Sequence, residues 1–187
     1  METRRFSRAL VGAVCLSLLG SLLLPGVSQA KTGYQIDASV NTALARFTHQ
    51  VRGAKEFLQD AKGVLVLADV YQAGFGVGAE YGEGALRIHS KTVSYYNIKA
   101  GSFGFQFGAQ KKDIILVFLQ QKALTDFRAK NGWQAGVDGS VVLVNLGAQA
   151  SIDSTKFNQP IVGFVVGQEG LMYNLTLEGS KISKMPK

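Results

Sequence analysis

Cysteine is almost missing from this chain of 187 residues, in which Cys15 is the only one. A single thiol inside an apolar run excludes an internal disulfide and any cysteine-based metal set. Histidine is nearly as scarce. His49 falls on the polar side of the first predicted helix and His89 at the end of a predicted strand, neither at the spacing of a metal site or a catalytic triad. Proline occurs only at positions 25, 160 and 186, so no Pro-rich linker divides the chain between them. Lys and Arg outnumber Asp and Glu by 20 to 13, yet they form no dense basic stripe, and nucleic acid is not an expected partner. Glycine is what the chain has in quantity, with 22 residues.

The N-terminus reads as an export signal. Arg4, Arg5 and Arg8 precede an uncharged apolar run, Ala9 to Leu24, which Pro25-Gly26 breaks before the small residues of Ser28-Gln29-Ala30. A run of about 16 residues is shorter than the roughly 20 that span a bilayer. The expectation is cleavage after Ala30 and a periplasmic or outer-membrane-associated protein, with residues 31–187 as a single domain free of cysteine.

The mature chain opens on a helical pattern. Ile36, Val40, Leu44, Phe47, Val51, Ala54 and Leu58 recur at spacings of three and four, with Asp37 or Ser39 as a candidate cap and Gly53 dividing a long helix from a short one. After Gly63 the pattern becomes short extended runs separated by turn residues, among them Gly82-Glu83-Gly84, Asp138-Gly139, Glu169-Gly170 and Gly179-Ser180. A helix near 122–130 interrupts the strands. This predicts an α+β fold: a mainly antiparallel curved sheet or barrel-like roll, an N-terminal amphipathic helix and one further helix.

Two strands are rich in glycine. In Gly74-Phe75-Gly76-Val77-Gly78 the glycines share one face, and Phe75, Val77, Ala79 and Tyr81 the other. In the run from Phe103 to Gly108, Phe103, Phe105 and Phe107 share a face. Glycine within a strand marks a bend, a bulge or a close approach. Both tight packing of a roll and a bare surface for a ligand fit that pattern.

No nucleophile, base and orienting group come together, and the chain reads as a non-enzyme with no metal or cofactor. Glu80 and Glu83 read as exposed turn residues. Basic residues flank the first helices and one hairpin: Arg46, Arg52, Lys55 and Lys62, then Lys111 and Lys112. A basic amphipathic helix can dock on anionic lipid, each basic residue near such a surface contributing roughly 1 kcal/mol. An apolar stripe that only covers the sheet is the plainer alternative. Trp133 reads as a core residue.

The stretch from Ala61 to Arg87 resembles the opening of the SYLF domain, also called the Ysc84 type. Tyr95-Tyr96-Asn97, Gly101 to Gln110, Gly132-Trp133, Gly136 to Ser140 and Asn174 to Lys181 extend the resemblance over most of residues 36–181. Leu67-Ala68 departs from a Phe-Pro found in many relatives. The resemblance implies a lipid-binding module, with an actin link in some eukaryotic members. In an exported protein, anionic phospholipid or a membrane surface is the expected partner and actin is not. The candidate headgroup residues are therefore Arg46, Arg52, Lys55, Lys62, Lys111 and Lys112. The candidate apolar contacts are Phe75, Phe103, Phe105 and Phe107. A structural or protein-interaction module of the envelope is the alternative function.

Overall fold

The computed structural model describes residues 31–145, 152, 158–170, 177 and 179–186, and within them all side chains except those of residues 102–107 and 145. The export signal lies outside these residues. Helix α1 (Gly33–Gln50) begins at a capping box: Gln35 N–H donates to Thr32 Oγ1, and Gln35 Oε1 accepts from Thr32 N–H. Thr32, and not the expected Asp37 or Ser39, is the cap, and Asp37 serves elsewhere. It accepts from Thr92 at 2.6 Å and Tyr95 at 2.9 Å, tying α1 to the sheet. Gly53, at φ +82°, turns the chain into α2 (Ala54–Gln59), as the predicted division requires.

Strands β1 (Gly63–Ile88) and β2 (Lys91–Phe118) form one long antiparallel ribbon closed by His89-Ser90. Both turn residues have positive φ, the requirement of a two-residue type I′ hairpin. Helix α3 (Gln121–Ala129) follows, then β3 (Trp133–Gln134), β4 (Val142–Asn145), β5 (Ile161–Gly170) and β6 (Lys181–Met185). Along one path the strand order is β3-β6-β2-β5-β4, and β1 pairs with β2. Among the described strands, β4 and β5 are the pair that runs parallel. The result, among the described residues, is a curled sheet in the form of a half-barrel with three helices.

The predicted turn at Gly82-Glu83-Gly84 is instead the interior of β1. The reason is the curl. A Cβ on Gly82 would lie 2.6 Å from Val70 Cγ2, and one on Gly84 would strike the Val66 carbonyl oxygen and lie 2.7 Å from Leu67 Cα. The two halves of β1 therefore cross in contact, and glycine is what lets the backbones approach. Glu169-Gly170, also expected as a turn, are the last two residues of β5, paired with Lys111 and Gln110, whereas Gly179 does turn.

Two cores lie on opposite faces of the sheet. Helices α1 and α2 cover the outer face through Ile36, Val40, Phe47 and Phe57, against Val66, Ile115, Val117 and Phe164. Phe47 and Phe57 both contact the Phe164 ring, at 4.8 and 5.6 Å between centroids. The inner face carries Leu65, Leu67, Leu86, Ile98, Leu116 and Phe118, closed by Leu124 and Phe127 of α3 and by the buried Trp133.

Candidate functional site

A bulge sets up the site. The register slips between Leu67 and Val70, and Asp69 at φ +54° occupies the slip. The extra residue reverses which parity faces inward. Before it, Leu65 and Leu67 line the inner core; after it, Val70, Gln72, Glu80 and Leu86 have the inward parity. Between residues 71 and 81 the usual distribution is inverted: the inner face is polar and the outer face apolar.

The inner face there is a chain of part-buried hydrogen bonds across three strands. Gln168 donates to Gln110 at 2.9 Å, and Gln110 donates to Gln72 at 2.6 Å. Lys112 reaches Gln72 at 3.1 Å and Glu80 at 2.8 Å. The Lys112 side chain is only 2% exposed. Glu80 and Glu83, expected at a solvated turn, are both buried, because the strand continues through them and crosses its own first half.

The outer face is the reverse. Seven large apolar side chains are exposed among the described residues, and four of them sit on this stretch: Tyr71 (58%), Phe75 (80%), Val77 (60%) and Tyr81 (46%). They follow the odd positions of β1, beyond the cover of α1. Because Gly82 returns to Val70, residues 71–81 leave and rejoin the body at neighbouring points. The stretch is an arch with Tyr71 and Tyr81 at its feet and Phe75 to Val77 at its crest. Gly76, at φ +70°, and a register slip between Phe75 and Val77 bend the crest. The backbones of Phe107 and Phe103 stand opposite Phe75 and Val77. The side chains of Phe103, Phe105 and Phe107, three of the expected apolar contacts, lie outside the described residues.

The expected basic set does not assemble at the arch. Arg46 is an ion-pair partner of Asp113, whose own side chain is 2% exposed, and it lies over Gly167, where a Cβ would collide with it. Burial pushes the Asp113 carboxyl above its ordinary value, against the opposing effects of the Asp69 amide and Arg46. Lys112 is inside the curl. Both cations are held in ion pairs that the sequence could not supply, because the partners lie 67 and 32 residues away along the chain. Lys111 is 2.9 Å from Asp69, which also holds Lys31 at 3.3 Å. Burial alone would raise Asp69, but the hydrogen bonds and charges of Lys111 and Lys31 outweigh it and hold the carboxyl below its ordinary value. Arg52, Lys55 and Lys62 are exposed. All three precede β1 in the chain, and Lys62, the nearest in sequence, lies nine residues before Tyr71, up to roughly 30 Å at about 3.3 Å per residue.

Sequence reasoning missed Tyr71 and Lys99. Lys99 stands opposite Tyr81 in the register, its ammonium 5.9 Å from that ring's centre. The Tyr81 hydroxyl donates to Glu83 at 2.8 Å, and burial, then that hydrogen bond and charge, push its pKa up to about 12. The alternation of residues 71–81 was the available signal; which face looks outward is decided by the crossing of β1. Among the described residues, no cluster of three or more His, Cys, Asp or Glu could hold a metal, and no helix is long and apolar enough to cross a membrane.

A comparison with curated proteins returns no match. Residues 99–187, from Lys99 at the foot of the arch onward, match the Ysc84 family, described as Las17-binding protein actin regulator. That segment is similar to the Ysc84, or SYLF, family, the family that the motifs between residues 36 and 181 resemble.

Proposed function

We propose that this protein is a binding module, not an enzyme, that docks on anionic phospholipid at an envelope membrane surface. The observation that carries the reading is the inverted arch, apolar outward and polar inward. That distribution costs stability in water, whereas at a lipid surface Phe75 and Val77 leave water and the polar network stays covered. The net positive charge of the chain favours an anionic surface.

The arch geometry limits the depth. Its crest is five residues from either foot, so it extends at most roughly 16 Å at 3.3 Å per residue. That is about half of a hydrocarbon core of roughly 30 Å. Among the described residues β1 pairs only with β2, and an open strand edge does not enter hydrocarbon. The contact is therefore with one leaflet, by side chains, with the backbone at headgroup level. An export signal at residues 1–30 would deliver the domain to such a surface.

Flotation of the purified protein with vesicles tests the reading. Recovery with phosphatidylcholine–phosphatidylglycerol vesicles above that with phosphatidylcholine alone, without release of an entrapped dye, is the expected result. Recovery with neither vesicle would overturn it, and dye release would overturn the single-leaflet depth.

A further inference from the structure

The two feet of the arch differ in charge. At one foot the register aligns Glu169 of β5, Lys111 of β2 and Tyr71 of β1 in a row across three strands. Lys111 and Lys31 share Asp69, and Glu169 lies beside Lys111, so cations and carboxylates cancel there.

At the other foot the row is Lys181 of β6, Lys99 of β2 and Tyr81 of β1. Two lysines stand directly opposite one another, an arrangement that destabilises a sheet. Both are exposed, and neither has a carboxylate within ion-pair distance among the described residues. The nearest carboxylate of the same face in the register, Glu83, is two pairs further along, buried, with one oxygen taken by the Tyr81 hydroxyl. A Cβ at Gly132 would collide with Lys181 Cε, so the glycine leaves room for that lysine's stem.

From this asymmetry we infer that Lys99 and Lys181, beside Tyr81, take the phosphate of an anionic lipid headgroup, and that Lys111, Arg52, Lys55 and Lys62 do not. The inference rests on the docking reading above and assigns its charged contact. The phosphate supplies the anion that the facing lysines lack. Tyr81, its hydroxyl held by Glu83, stands at headgroup level with its ring under Lys99, as aromatic residues do at the edge of an apolar band. Docking is thereby tilted, with the Tyr81 foot nearer the anionic surface than the Tyr71 foot.

The test is titration of the purified protein with phosphatidylcholine–phosphatidylglycerol vesicles. Lys99→Gln and Lys181→Gln should each weaken binding roughly fivefold. Binding to phosphatidylcholine alone should not change. The thermal midpoint of the double variant should hold or rise, because a like-charge pair is removed, where a merely structural role would lower it. Lys111→Gln should stay within about twofold of the parent. A double variant that binds as tightly as the parent, or a Lys111→Gln loss of equal size, would overturn the assignment while leaving docking intact. A parent that binds no vesicle at all would overturn the docking reading beneath it.

Discussion

Two stretches of the β1–β2 ribbon obey the same alternation and reach opposite outcomes. Where Gly63–Val70 pairs with Lys112–Phe118, apolar side chains occupy both faces, and α1, α2 and α3 cover them. Between Tyr71 and Tyr81 no helix covers the outer face, and the inner face carries Gln72 and Glu80 where the first stretch carries Leu65 and Leu67. One stretch is covered, and the other leaves its apolar face exposed. The difference follows from one extra residue at the Asp69 bulge and from where the helices stop. It also separates stability from binding, so each can be broken without the other.

The largest effect should come from Gly84→Ala. The new methyl would occupy the position of the Val66 carbonyl oxygen, and backbone at a strand crossing cannot yield as a side chain does. The expected result is loss of the cooperative unfolding transition by circular dichroism. Lys112→Ala should follow. Removing one partner of a buried ion pair leaves Glu80 charged and uncompensated, at a cost of about 3–5 kcal/mol in denaturant titration. The double change Lys112→Met with Glu80→Leu should recover most of that loss, since an apolar pair of similar volume needs no desolvation of charge.

Phe75→Ser should do the opposite of these. Its side chain is mostly exposed, so stability should move by no more than about 0.5 kcal/mol. Vesicle binding should weaken by about tenfold or more, the equivalent of roughly 1.5 kcal/mol of apolar burial. A large stability loss in this variant would dissolve the contrast between the two stretches.

The smallest effect concerns Asp69, at the boundary between them. Its folded pKa is lowered, so its contribution is present above the unfolded carboxyl value, about 3.9, and is lost as pH falls through the lower folded one. Asp69→Asn keeps a residue that tolerates the left-handed backbone while removing the charge. The acid limb of the melting-temperature profile should flatten in this variant.

Much of the fold was legible because it rests on local pattern. The spacing of Ile36, Val40 and Phe47 predicted α1, and the run near 122–130 predicted α3. The short strands were misjudged in number, because Gly82 and Gly84 look like turn residues until the first half of β1 lies against them. The cap at Thr32 was missed because Asp37 is an equally good capping residue, and only its contacts with Thr92 and Tyr95 show it is otherwise engaged. For the candidate site, alternation gave the shared face of Phe75, Val77 and Tyr81. The surroundings of the basic residues were not legible, since they depend on partners distant in the chain: Lys112 is buried against Glu80, and Lys99 faces Lys181.

The near absence of cysteine makes the central claim directly measurable. With Cys15 changed to serine wherever it is retained, an environment-sensitive dye can be attached at a single introduced thiol, Val77→Cys on the arch or Lys55→Cys on α2. On adding anionic vesicles, the dye at position 77 should shift its emission to the blue and the dye at position 55 should not. A shift at position 55 with none at position 77 would place the membrane at α2 and contradict the account.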